Sequence, residues 1–158
     1  MKKQFSAPWD ILLISMTTLV SLLLVAVAIY VNSVVTYIIF MILIAVGIFF
    51  GVYGYNLRDK ELRIIRLGWS KDIPYKDIQD IEYSPGAMRG SLRLFGIGGY
   101  FSYCGGFKNR RLGHYKAYAT HRKKTVIITN QKGEKIVVSP SSSELFVETL
   151  KSASEIVT

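Results

Sequence analysis

Between Ile11 and Leu57 the 158-residue chain has no Asp, Glu, Lys or Arg, and between Tyr83 and Gly133 it has no Asp or Glu. The first gap, in a chain that is 50% hydrophobic, excludes a wholly soluble globule and an intrinsically disordered chain. Cysteine is nearly missing too. Cys104 stands alone, so no intrachain disulfide forms, and a disulfide-built secreted domain is excluded. His114 and His121 are the two histidines. No set of His, Cys and carboxylates occurs at metal-ligand spacing, so neither a metal centre nor a bound cofactor is expected. The first 57 residues carry only Lys2, Lys3 and Asp10, a net of +1; the remaining 101 carry a net of +8, together the +9 of the whole chain.

The uncharged run is too long for one membrane span and has the length of two. Ile11–Val31 and Val34–Tyr55 are each about 20 residues, the number needed to cross ~30 Å of hydrocarbon at ~1.5 Å per residue. Only Asn32 and Ser33 separate them, so antiparallel neighbouring helices are expected. Trp9, Tyr30, Tyr37, Tyr53 and Tyr55 mark the ends as interfacial aromatics. Lys2 and Lys3 precede the first segment, and Arg58, Lys60, Arg63 and Arg66 follow the second. This flanking places both termini in the cytoplasm. A rival reading takes residues 1–28 as a cleavable signal, with Ala26-Val27-Ala28 as the cleavage site. Gly47 and Gly51 form a GxxxG pair, a candidate helix-packing seam within the hairpin or between chains. No ionisable residue lies in either segment, which argues against an ion pathway or proton relay. The expected organisation is a transmembrane hairpin, residues 1–57, followed by a cytoplasmic domain, residues 58–158.

The second part is rich in short β-type runs: Glu61–Leu67, Asp80–Tyr83, Leu92–Phe95, Tyr100–Tyr103, Thr125–Thr129 and Lys135–Ser139. Glycine, proline and asparagine bound them. The last two, joined through Asn130–Glu134, predict a hairpin. A small antiparallel barrel or sandwich is the expected architecture. Phe146, Leu150, Ala153 and Val157 recur at helical spacing, widened by Leu145 and Ile156, after a capping box of Ser141 and Glu144. That amphipathic helix would close the open end of the barrel.

Gly96–Thr129, most distinctively Leu112-Gly113 through Ala117-Tyr118-Ala119-Thr120, together with Ile136–Pro140, the terminal helix, and Ile73-Pro74 with Ile78 and Ile81, resembles bacterial pleckstrin-homology-like (PH-like) domains of small membrane proteins. The resemblance covers residues 58–155. It implies an α+β domain of two nearly orthogonal antiparallel sheets with a C-terminal capping helix, in a protein of the bacterial inner membrane. It transfers no ligand.

The acid-free stretch carries the candidate site. Lys108, Arg110, Arg111, Lys116, Arg122, Lys123 and Lys124 are the expected basic interaction surface, interleaved with Tyr100, Phe101, Tyr103, Phe107, Tyr115 and Tyr118. Held near a bilayer, each Lys or Arg contributes ~1 kcal/mol of attraction to anionic lipid. Such interleaving also occurs in single-strand nucleic-acid binders, but a membrane tether makes nucleic acid an unexpected partner. The glycines from Gly96 to Gly106 match neither a dinucleotide loop nor a Walker loop and read as bulges and turns. Cys104 and His114 could pair as nucleophile and base, yet a small buried residue and a surface imidazole is the simpler reading. The expected protein is not an enzyme. It is a membrane-anchored module binding anionic lipid headgroups, another protein or a second copy of itself. The alternative is an accessory subunit of a transport or envelope complex, with the hairpin as interface.

Overall fold

The computed structural model describes residues 3–155, with Glu155 described in its backbone alone. Lys2 of the basic flank, and Ile156 and Val157 of the apolar stripe, lie outside the described residues. The chain starts with a short strand, β1 (Lys3–Ser6), and enters helix α1 (Ile11–Val31). Asp10 caps that helix through its Oδ1, which accepts from Leu13 N at 2.6 Å. At the far end Asn32, in the left-handed conformation with φ +44°, closes α1 by donating its N–H to Ala28 O. Helix α2 (Val34–Phe50) then runs back.

Among the described residues one helix, α1, is long and apolar enough to cross a membrane. The expected second span through Tyr55 is corrected, because α2 stops at Phe50 after 17 residues. At 1.5 Å per residue that is ~26 Å, short of a ~30 Å hydrocarbon core. The local cause is Gly51, whose N–H turns back to Ile48 O at 3.1 Å, while Tyr53 Oη donates to the same carbonyl at 2.9 Å. The chain leaves in extended form as β2 (Val52–Leu57). Tyr55, expected at a membrane interface, is instead fully buried in the domain core.

β2 pairs with β1 on one side and with β3 (Glu61–Arg66) on the other, and β3 pairs with β4 (Lys71–Pro74). The helical hairpin is therefore an insertion between the first two strands of a four-stranded antiparallel sheet. Lys3 opposite Leu57 holds the two ends of the hairpin side by side. After a 3-10 turn at Tyr75–Asp77 come β5 (Ile78–Tyr83), β6 (Leu92–Tyr100), β7 (Ser102–Asn109), β8 (Gly113–Ala119), β9 (Val126–Asn130) and β10 (Lys135–Val138). They form a six-stranded sheet in the order β5-β9-β10-β8-β7-β6. The predicted hairpin of the last two strands is present, with Lys135 opposite Thr129. Tyr100–Tyr103, expected as one strand, straddles the reversal between β6 and β7, where Phe101 takes φ +59°.

Two features of the expected barrel are corrected. The sheets do not close: β5 and β6 are the free edges of the larger sheet, and β1 and β4 those of the smaller. Nor is the larger sheet purely antiparallel, since β10 and β8 run parallel, with Ile136 opposite Lys116. The result is an α+β domain of two sheets, one of them mixed, covered by helix α3 (Ser143–Glu155).

Period-two alternation sends the larger sheet's side chains to two cores. Val126, Ile128, Ile136 and Val138 face the smaller sheet, joining Phe5, Tyr55, Leu62 and Ile64 with Phe146 and Leu150 of α3. Phe146 meets Phe5 edge-on at 5.2 Å between ring centroids. Ile127 and Val137 point the other way, to Tyr103, Phe107, Tyr115, Ala87, Met88 and Leu13 of α1. Burial on both faces explains why these strands read as unbroken apolar runs. In α3, Phe146 and Leu150 are on the buried side as expected, while Leu145 is exposed. Ser141 does not cap the helix; it precedes it and donates its N–H to Ser6 O of β1.

Candidate functional site: a basic groove at the foot of helix α1

The second core leaves a groove of about 1110 Å³ beside the first turns of α1. Asp10, Ile11, Leu12 and Ser15 form one wall, and residues 85–90 form the opposite wall. Arg111 from the β7–β8 turn and His121, Arg122 and Lys123 from the β8–β9 connection complete it.

Each wall is held by buried polar contacts. Asn109 Nδ2 donates to Ala87 O at 2.8 Å and to Ser91 Oγ at 3.0 Å, while its Oδ1 accepts from Leu112 N at 2.7 Å. One side chain thus fixes the 85–91 segment to the β7–β8 turn. Thr125 continues the seam: its Oγ1 accepts from Ala87 N at 3.1 Å and donates to Ser84 O. On the helix side, Asp10 N donates to Thr120 O at 3.1 Å, and Thr120 Oγ1 donates to Pro8 O at 2.8 Å. Asp10 Oδ2 accepts from Arg122 N at 3.0 Å. The carboxylate that caps α1 therefore also holds the basic loop, and its side chain is only 11% exposed.

Cations dominate the rim. Arg111 pairs with Glu82 at 3.4 Å, both largely exposed, and Arg122 Nε lies 4.0 Å from Asp10. Arg122 also lies over the Tyr103 ring, 5.8 Å from its centroid. Among the described residues Arg89 and Lys123 have no carboxylate partner. Burial first, then Lys124 and Lys123, lower the pKa of His121, with Asp10 opposing. The geometry agrees: His121 Nδ1 accepts from both Lys123 N and Lys124 N at 3.2 Å, which requires an unprotonated Nδ1. Opposite these groups Ile11 is 83% exposed and Leu12 43%. The groove thus has one cationic side and one apolar side.

Of the expected basic surface, Arg111, Arg122 and Lys123 converge here, and Lys124 sits in the same loop. Lys108 and Arg110 are exposed on β7 and its turn and do not line the groove. Lys116 points to the other face of the sheet, 3.7 Å from Glu134 and beside a second, shallower groove of about 300 Å³. Arg89 and Asp10 belong to the site without having been singled out for it. The acid-free stretch includes Arg89 but says nothing of its position, and the Asp10–Arg122 contact joins residues 112 positions apart.

Among the described residues no catalytic arrangement accompanies the groove. Cys104 is buried beside Arg66 of β3, whose Nη1 lies 3.6 Å from Sγ, and burial pushes the thiol up despite that cation. His114 lines the other groove. Among the described residues no group of three or more His, Cys, Asp or Glu side chains could hold a metal ion. The Gly47–Gly51 pair lies at the β6–β7 reversal and at the end of α2. A Cβ on Gly47 would lie 2.6 Å from Phe101 Cδ2 and 2.7 Å from Tyr100, so the β6–β7 reversal fills that space within the same chain. Gly51 is the residue that ends α2.

Compared with known families, residues 53–154 match the family described as Bacterial PH domain. No curated protein and no solved structure matches the chain.

Proposed function

The chain belongs to the bacterial PH domain family, and from that premise we propose that it is a membrane-associated, non-enzymatic interaction module whose basic groove meets anionic phospholipid headgroups at the cytoplasmic face of a bilayer. One observation carries the reading: the first turn of the long apolar helix and the cations of the PH-like domain line the same groove. A phosphodiester beside Arg89 and Lys123 would leave its acyl chains against Ile11, Leu12 and the exposed flank of α1. Only Leu13, Thr17 and Ala28 of α1, and Gly47 of α2, are buried within the protein. So large an exposed apolar surface calls for a covering phase, and a bilayer is the phase that fits a helix of this length.

In this reading α1 enters the membrane from its first turn, with α2 packed back along it as the shorter arm. Lys3, Arg58 and Lys60 then lie at the near side, as basic flanks do in the cytoplasm. At ~8 Å screening length, only charges held close to the headgroups contribute. Arg89 and Lys123 at ~1 kcal/mol each give about 2 kcal/mol, a preference of roughly 30-fold for anionic over neutral lipid.

The test uses the full-length protein in a neutral detergent, titrated with short-chain phosphatidylglycerol or phosphatidylcholine while thermal unfolding is followed. Stabilisation by phosphatidylglycerol alone, weakened by salt and lost in the Arg89→Gln/Lys123→Gln double variant, is the expected result. An equal response to both lipids, or an unchanged response in the variant, contradicts the reading.

A further inference from the structure

We propose that the reversal between β6 and β7 is itself a membrane element: its tip, Tyr100-Phe101, sits below the headgroups as a wedge between the feet of α1 and α2. The proposal rests on the reading that α1 enters a bilayer, but its observations are separate from the groove.

The first is where the tip reaches. Phe101 N donates to Thr17 Oγ1 at 3.1 Å. Thr17 lies six residues beyond the start of α1, ~9 Å along its axis at ~1.5 Å per residue. On the opposite side, the space above Gly47 of α2 is filled by the Phe101 and Tyr100 rings. One residue thus touches both helices. If the 21 residues of α1 cover the hydrocarbon core from its first turn, Phe101 lies within that core. Trp9, just outside α1 at interfacial height, meets the Phe101 ring edge-on at 5.8 Å.

The second is composition. From Leu94 to Phe107 the hairpin reads LFGIGGYFSYCGGF, 14 residues without a charge. In sequence the run is bounded by Arg93 and Lys108. In space the Arg93 guanidinium reaches Gly96 O at 3.3 Å, Arg66 reaches Cys104 Sγ at 3.6 Å and Arg122 lies over the Tyr103 ring, while Tyr100 and Phe101 pack on Thr17 and Gly47. On β7 the run is buried in the protein at Tyr103, Cys104 and Phe107, but on β6 Leu94 and Phe95 are 52% and 62% exposed, an apolar surface that water does not favour.

The third is backbone satisfaction. A chain reversal in hydrocarbon carries donors that no water can reach, and irregular backbone is tolerated there only when protein groups take them up. The Phe101 N–H is taken up by the Thr17 hydroxyl of the uncharged helix α1, and Thr17 is 7% exposed. On the descending side Ser102 Oγ donates to Phe50 O at 3.3 Å, meeting one of the carbonyls left open at the end of α2. Gly47 matters because any side chain there would collide with the two rings.

The occupant of the exposed side of this hairpin is therefore lipid, continuous with the lipid around α1. The experiment places single tryptophans in a Trp9→Phe/Trp69→Phe background of the full-length protein, reconstituted in vesicles of phosphatidylcholine and phosphatidylglycerol. Phe101→Trp reports on the tip, Tyr100→Trp repeats the measurement should the first variant misfold, and Leu23→Trp reports on the middle of α1. Phosphatidylcholine brominated on the upper acyl chain and aqueous acrylamide are the two quenchers. The expected result is loss of most tip fluorescence with brominated lipid and little with acrylamide. Acrylamide quenching at 100 and 101 with lipid quenching at 23 overturns the wedge and leaves the proposed function standing. Acrylamide quenching at all three positions removes the membrane reading and the wedge with it. Gly47→Leu supplies an independent readout: expulsion of the tip moves the residue-101 signal from lipid quenching to acrylamide quenching, and no such move contradicts the packing.

Discussion

Replacing Asp10 separates the stitch between helix and groove from the charge of the groove. In Asp10→Ala two bonds disappear together: the cap on Leu13 N at 2.6 Å and the contact with Arg122 N at 3.0 Å. Loss of an N-cap costs ~1 kcal/mol. A hydrogen bond to a charged acceptor contributes about 1.5–3 kcal/mol, and the side chain is nearly buried. The sum is about 2.5–4 kcal/mol, and at 2–4 °C per kcal/mol for a chain of this size that lowers Tm by roughly 5–15 °C. Asp10→Asn keeps an equally good cap but presents an NH₂ where Arg122 N needs an acceptor, so its loss is confined to about 1.5–3 kcal/mol. The assay is thermal unfolding of the full-length protein in one detergent, with amide exchange read at Leu13 and Arg122. Asp10→Ala should expose both amides and Asp10→Asn only Arg122. Both variants remove a negative charge beside Arg89, Arg122 and Lys123, so both should favour anionic lipid more strongly while being less stable. An Asp10→Ala protein as stable as the parent refutes the stitch, and unchanged lipid preference refutes the electrostatics of the groove.

Other outcomes follow from the same contacts. Tyr55 Oη donates to Tyr118 O at 2.6 Å and accepts from Ser139 N at 3.0 Å, and burial pushes its pKa up to about 12. Tyr55→Phe leaves a buried N–H without its partner and should cost about 2 kcal/mol, a Tm fall of roughly 4–8 °C; a tyrosine at a membrane interface would show almost none. His121 has its pKa lowered in the folded state, so the unfolded chain binds the proton first as pH falls. Its contribution is complete above the ordinary histidine pKa and is lost as pH drops below it. Amide protection at Lys123 and Lys124 should fall on mild acidification, and His121→Gln should flatten that dependence; protection unchanged down to pH 5 would contradict the neutral-imidazole geometry. Leu13, fully buried although it sits in the apolar helix, should cost about 2–5 kcal/mol as Leu13→Ala. Leu19→Ala, at an exposed position of the same helix, should leave the unfolding of the domain in detergent unchanged.

Legibility in the sequence followed the range of the forces involved. Helix α1, the β9–β10 hairpin and the Phe146–Leu150 face of α3 rest on local periodicity and turn chemistry, and all three were readable. The end of α2 was not, because Val52–Leu57, though less apolar than the helix, carries no charge and so prolongs the uncharged run past Gly51 and Gly54. β1 is four residues with one buried side chain, Phe5, too short to announce itself. The parallel β8–β10 pair and the open sheet edges depend on pairings far apart in the chain, which local patterning does not encode. The same distinction holds for the groove. Arg111, Arg122 and Lys123 stand out by the absence of acid around them, whereas Arg89 joins them through the Asn109 and Thr125 bracket, and Asp10 by folding back across the whole domain.

The most direct measurement of the central claim is the depth of the groove relative to the bilayer. In a Cys104→Ser background of the full-length protein in nanodiscs containing phosphatidylglycerol, single spin labels are placed at Arg89, at Lys123 and at Lys116 on the opposite face of the sheet. Relaxation by membrane-soluble oxygen and by an aqueous nickel chelate is then compared. Headgroup-level depth at Arg89 and Lys123, with Lys116 in bulk water, is the expected result. Labels at Arg89 and Lys123 as water-exposed as Lys116 would contradict a lipid-facing groove.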